Sequence, residues 1–164
     1  MTSDDRSDRG AAMVEFAILA PLLVMLVIGM LEFGLLFKDS LTANSASREA
    51  ARIIVAAGDH VSADQWGLDA AQATMQAAAV QIDTISIVNQ AGNGSSYTPD
   101  GSGGWIASPI NSGWPPASRQ TDVANLDHAI VMVNYKHKWI TNLFGSGERI
   151  LTEETEMRLE PRRF

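Results

Sequence analysis

Glu15 and Glu32 are the only charged residues between Ala11 and Phe37. A carboxylate among apolar neighbours must reach water, meet a cation or accept hydrogen bonds, because at the centre of a membrane helix it costs about 2.5–3.5 kcal/mol on insertion scales. Near a helix end the cost falls, and in the first turn a negative charge complements the helix macrodipole. Glu15 therefore has two readings: an end-of-helix acid that snorkels to water, or an acid paired with a cation inside the membrane. For Glu32 the expectation is solvation at the far membrane face, with pairing to a basic residue of an assembly partner as the alternative. Elsewhere the chemistry-bearing residues are scattered. His60, His128 and His137 form no H-E-x-x-H or carboxylate-spaced metal signature, and there is no G-x-S-x-G elbow, P-loop or dinucleotide fingerprint. The absence of cysteine removes disulfides, thiolate metal sites and a cysteine nucleophile. The expectation is a protein without enzymatic activity, cofactor, metal or small-molecule substrate.

The elements that carry these residues follow from where the apolar ones sit. The chain has 164 residues, one domain's worth, with 46 % hydrophobic and 19 % charged residues. Its net charge of −7 gives it no electrostatic reason to bind nucleic acid. The run from Ala11 to Phe37 is 27 residues long, more than the roughly 20 that span a lipid bilayer. A buried core helix would keep a polar face, and a secretory signal has an apolar region of only about 7–15 residues. The segment before the run sets Asp4, Asp5 and Asp8 against Arg6 and Arg9, unlike the basic start of an ordinary signal. Lys38, Arg48 and Arg52 follow the run, so charge leaves the orientation open, while the short N-terminal side suggests a cytoplasmic leader and an exported C-terminal portion. Pro21 removes one backbone hydrogen bond within the helix, either as a harmless kink or as a stretch that eases extraction from the bilayer. Gly29 and Gly34 lack the G-x-x-x-G spacing of a helix-packing motif.

The stretch from Arg9 to Arg52 resembles the TadE-like family of minor pilins or pseudopilins. Its landmarks are Arg9-Gly10, Val14-Glu15-Phe16-Ala17, Pro21, Leu31-Glu32-Phe33-Gly34 and Ser47-Arg48-Glu49-Ala50-Ala51-Arg52. Met157-Arg158-Leu159-Glu160-Pro161 resembles the family's C-terminal strand. The resemblance implies a prepilin peptidase, an integral-membrane aspartyl protease, cutting between Gly10 and Ala11, with Glu15 fifth and Phe16 sixth in the mature chain. Cleavage would create an α-amino group on Ala11 with a reference pKa near 8. Glu15 could then pair with the amino terminus of its own or a neighbouring chain, an interaction that fixes register more than it adds stability. The implied setting is the bacterial inner membrane: a single pass, a cytoplasmic leader and a periplasmic C-terminal domain, with the Tad (type IVb, Flp) pilus subunits, its assembly-platform proteins and the lipid bilayer as partners. A permanently anchored binding or adhesion protein and a membrane-tethered periplasmic enzyme are the alternatives.

Beyond Lys38, Leu41, Ala46, Ala50, Ile53, Ile54 and Ala57 recur at helical steps up to Gly58. This predicts one helix over 11–57, about 70 Å long at 1.5 Å per residue. Ser62 with Gln65 reads as a capping box opening a second helix faced by Trp66, Ala70, Ala73, Ala77 and Val80. Ile82 to Asn89 is β-rich, with Ile85 and Ile87 on one face. Residues 91–121 are rich in Gly, Ser and Pro and read as a long loop. Its Tyr97, Trp105 and Trp114 either pack on a sheet or form a contact surface for other pilus subunits. His128 to Ile140 alternates, with Ala129, Val131, Val133, Tyr135 and Trp139 on one face, and pairs with a strand over 149–160 across a loop around Asn142 to Gly147. Lys136 and Lys138 would share a face with Glu154 and Glu156 and form cross-strand pairs where the register allows, and His137 would be solvated. The predicted class is α+β: a leader over 1–10, a transmembrane helix over 11–37, an amphipathic continuation over 38–58 and an α+β domain over 59–164, in which a small antiparallel sheet packs on the helix.

Overall fold

The computed structural model describes residues 3–141, 145 and 147–161, with side chains from Gly10 onward. Asn142, in the expected hairpin loop, and the side chains of Arg6 and Arg9 lie outside the described residues. Helix α1 runs Ser3–Ala57, α2 Ala63–Ala77, and five strands follow: β1 Gln81–Val88, β2 Gly94–Pro99, β3 Trp105–Ile110, β4 His128–Lys138 and β5 Glu148–Arg158. The α+β class is thus the observed one. Helix α1 begins before Ala11, so the expected leader residues from Ser3 are helical and continuous with the apolar run through Pro21. The chain divides into two compact units, one made of residues 1–36 with 139–147 and the other of 37–138 with 148–164.

The larger unit holds the core. Its sheet has the order β3-β2-β1-β4-β5, antiparallel throughout. The alternation in β4 sends Ala129, Val131, Val133 and Tyr135 to one face, where they are buried with Ile85 and Ile87 of β1. Above them lie Ala43, Ala46, Ala50, Ala51, Ile54 and Val55 of α1 and Leu68, Ala71 and Met75 of α2. The alanines let α1 approach the sheet closely, and Ser47 meets Thr155 of β5 at 2.8 Å. Leu41, assigned to this stripe from its spacing, is instead 67 % exposed. The register shifts between Ile82 and Thr84, and such a bulge resets the two-residue period. Ile82 can therefore pack on the same core as Ile85 and Ile87.

Four further expectations are corrected. Residues 91–121 are not one loop: β2 and β3 form a hairpin within them. Pairing of β2 to β1 and of β3 to β2, rather than a strong apolar pattern, makes these strands, since β3 is exposed at most positions. Ser62 makes no side-chain cap bond, and the Gln65 amide donates to Asp69 at 2.7 Å instead. Helix α2 buries Ala63, Gly67, Leu68, Ala71 and Met75 rather than the Trp66 face, and Trp66 stacks on His60 at 4.5 Å between ring centroids. Lys136 and Lys138 do share a sheet face with Glu154 and Glu156, but the β4–β5 register gives no cross-strand pair between them: it sets Lys136 opposite Ile150 and Lys138 opposite Glu148, while Glu154 and Glu156 lie opposite Met132 and Ile130. Lys136 meets Asp83 at 3.5 Å.

Candidate functional site

The apolar part of α1 is bare. Met13, Phe16, Ile18, Leu22 and Leu31 are each more than 60 % exposed, and none of the most apolar window, of mean hydropathy 2.5, is buried. Removing a side chain of this kind from water is worth about 1.5–3 kcal/mol. The helix therefore demands an apolar environment from outside the chain, and it is long and apolar enough to cross a membrane. This fits a single-pass membrane protein.

Gly10, Ala11, Glu15, Phe16 and Pro21 are all exposed along this helix. A Cβ added at Gly10 would meet nothing within 4 Å, and the same holds at Gly34. Gly10 is nonetheless in helical backbone, a conformation that a protease has to open. A glycine costs an α-helix about 1 kcal/mol relative to alanine.

Glu32 departs from the expectation of interfacial solvation. It is 1 % exposed. One carboxylate oxygen accepts the Thr141 backbone N–H at 2.6 Å and the Thr141 hydroxyl at 2.7 Å; the other accepts the Ile140 N–H at 3.2 Å. A buried carboxylate is tolerable when donors surround it, and here the turn after β4 supplies them.

In the larger unit the aromatic residues of 91–121 turn inward. Trp114 is buried, and Tyr97 and Trp105 pack against the core. Tyr97 and Trp114 are tied together through Arg119, which sequence reasoning missed. The Arg119 side chain is fully buried. It donates to Asp64 at the start of α2, reaches the Gly58 carbonyl at 3.3 Å, and lies 4.4 Å over the Trp114 ring. Asp64 also accepts the Tyr97 hydroxyl at 2.9 Å. Burial, and then the Asp64 carboxylate, push the Tyr97 phenol up to about 12. Trp114 donates its indole N–H to Asp127 at 3.2 Å. No spacing rule connects Asp64 to Arg119; a lone cation beside a tryptophan in a polar stretch was the available signal. The network ties the long connection to α2.

The histidines are separate from one another. His137, expected on a solvated face, is buried, with Nδ1 2.8 Å from Asp39 Oδ2. The odd positions of β4 face the core, and His137 continues their row. His128 meets Glu156 at 2.9 Å. The hydrogen bonds from Gln90 and His128 hold the Glu156 carboxyl below its usual range. Among the described residues no three His, Asp or Glu side chains converge as a metal site.

Comparison with curated proteins and with solved structures returns no match. A family model described as TadE-like protein matches residues 10–52. That segment contains the bare apolar helix with Gly10, Glu15, Phe16, Pro21 and Glu32, and it ends where Ser47, Ala50 and Ala51 pack under the sheet. Over these residues the chain carries a TadE-like domain.

Proposed function

We propose that this protein is a minor pilin or pseudopilin that takes part in assembly of a Tad-type pilus. The TadE-like domain together with an exposed apolar helix fits a Tad pilus-related membrane protein, and the bareness of that helix is the observation that carries the finer reading. An apolar helix surface as exposed as this one is among the described residues can lie in lipid as a precursor and pack against helices of other subunits on incorporation. Gly10, Ala11, Glu15 and Phe16 lie along it with the spacing that the resemblance implies for prepilin processing.

In this reading a prepilin peptidase removes residues 1–10 at the cytoplasmic face, the globular unit lies in the periplasm, and Glu15 pairs with the new amino terminus of Ala11. The inward packing of Tyr97, Trp105 and Trp114 leaves subunit contact to the helix rather than to these aromatics. The same packing takes these three aromatics away from the contact surface an adhesion module would use, and the separated histidines give no support to an enzyme. Mass spectrometry of chain purified from membranes of cells with the matching peptidase tests the proposal. A mature chain beginning at Ala11 supports it, and an intact Met1 terminus overturns it.

A further inference from the structure

The clasp between Glu32 and the turn after β4 fixes the depth of that turn. Both lie within one compact unit, so their relationship is internal to it. From Ala11 to Leu31 the helix rises about 31 Å, close to the ~30 Å hydrocarbon thickness of a bilayer. Glu32 then stands at the boundary of the hydrocarbon on the C-terminal side of the span. Starting the span later, at Phe16, would carry Glu32 deeper. In either placement, the backbone of Ile140 and Thr141 is held no farther from the bilayer centre than that boundary.

The chemistry of the clasp suits this position. A carboxylate in or beside hydrocarbon needs donors, and non-helical backbone N–H groups at that depth need acceptors. Glu32 and the turn satisfy each other: two backbone N–H groups and one hydroxyl converge on one carboxylate. The first bonded residue, Ile140, and Trp139 before it are apolar. Ile140 is 71 % exposed, and Trp139 is half-buried. Tryptophan is enriched at the level of the lipid headgroups, where an amphipathic ring meets both environments.

We infer that the turn carrying Trp139 and Ile140 is a second membrane contact, seated in the phospholipid interface beside the spanning helix and held there by Glu32. The inference rests on α1 spanning the bilayer. Its occupant is lipid rather than a second protein.

The chain has no cysteine, so single sites can be spin-labelled in the full-length protein. Ile140→Cys, Ile18→Cys and Val123→Cys are each labelled with a nitroxide and placed, one chain per particle, in phosphatidylcholine–phosphatidylglycerol nanodiscs. Collisions with oxygen, which concentrates in lipid, and with a water-soluble nickel complex are then measured. The expected result is that Ile18 and Ile140 both show several-fold lower nickel accessibility than Val123 with high oxygen accessibility, Ile140 being the shallower. Adding Glu32→Gln, which replaces an acceptor oxygen with a donor, is expected to raise the nickel accessibility at Ile140 and leave Ile18 unchanged. Nickel accessibility at Ile140 equal to that at Val123, with Ile18 protected, overturns the second contact and leaves the span standing. An Ile140 probe shielded from both reagents shows a protein-covered site and also overturns it. An accessible Ile18 overturns the span and the second contact together. An Ile140 probe unaffected by Glu32→Gln overturns the role of the clasp.

Discussion

Arg119 donates to Asp64 from a position 55 residues away in the chain, while its guanidinium covers the face of Trp114. The pair pins the connection between β3 and β4 onto the first turn of α2, where a carboxylate is already favoured by the helix macrodipole. Arg119→Ala leaves the Asp64 carboxylate largely buried without its cation, a change that costs about 3–5 kcal/mol for such pairs. Arg119→Lys should recover only part of this, because an ammonium cannot reproduce the planar stack on Trp114. Urea unfolding of the detergent-solubilised chain, followed by tryptophan fluorescence, measures both losses. A midpoint unchanged in Arg119→Ala would contradict the account.

The chain has only two tyrosines, and neither should ionise in its ordinary range while the protein is folded. Tyr97 is raised to about 12 by burial and then by Asp64. Tyr135 is raised by burial and then by the Glu153 carboxylate. A phenol with a raised folded pKa stabilises the fold fully below its unfolded value of 10.0 and loses that contribution as pH climbs through the folded one. Stability should therefore begin to fall above pH 10 and keep falling towards about 12. Ultraviolet titration of tyrosinate absorbance checks this, and a native-state step of either tyrosine near 10 would refute it.

Gly67 is the point at which α2 meets α1. A Cβ there would lie 2.6 Å from Ile54 Cγ1 and 2.7 Å from Cδ1. Alanine is favoured over glycine in a helix by about 1 kcal/mol, so propensity alone predicts that Gly67→Ala stabilises. The buried Ile54 cannot yield freely, and overpacking of this kind costs about 1–3 kcal/mol. Net destabilisation is the expected sign. In the double variant Gly67→Ala, Ile54→Ala the total loss should be less than the sum of the single losses, as a denaturation cycle would show.

Gly10→Val should block leader removal without disturbing the fold. The added side chain meets no neighbour, so a processing defect would report recognition by the peptidase. The variant should accumulate at the unprocessed mass with normal membrane levels. Normal trimming of Gly10→Val would show that this glycine does not define the cut.

Glu15→Gln separates the two readings of that acid. An amide is cheaper to bury than a carboxylate, so if Glu15 only snorkels to the interface the change is nearly silent. If it pairs with the amino terminus of Ala11, membrane insertion and cleavage persist while copurification with other pilus subunits falls. Glu15→Asp should be intermediate, since the charge stays but the reach shortens. Cleaved Glu15→Gln protein that copurifies at the wild-type level would remove the pairing.

The elements legible in the sequence are those whose two faces differ chemically. In β4, alternation from Ala129 to Tyr135 predicts the buried row because the intervening Ile130, Met132, Asn134 and Lys136 keep partial access to solvent. The apolar run of α1 is legible because composition alone marks it, most of its side chains being exposed among the described residues. The β2–β3 hairpin is not, because Gly94-Ser95-Ser96 and Ser108-Pro109 carry little apolar signal and owe their conformation to neighbouring strands. The face of α2 is misread because its closest contact uses Gly67, where the absence of a side chain is what matters. Among the candidate site residues, Gly10, Glu15 and Phe16 are proposed from local spacing, whereas the hydrogen-bond partners of Glu32 and Arg119 lie more than 50 residues away in sequence.

The strand order has a consequence for how the molecule is made. The three-stranded piece β1–β2–β3 closes through local turns, but the neighbour that covers the other edge of β1 is β4, which follows the whole hairpin. A chain emerging N-terminus first completes both helices and that piece while β1 still offers a free, apolar edge. Such an edge is a template for pairing with the wrong strand, and distant pairings are slow to form. Delivery of the last 37 residues, from His128 onward, is therefore the step that ends the vulnerable interval, and truncations before β4 should yield aggregates rather than a smaller stable domain.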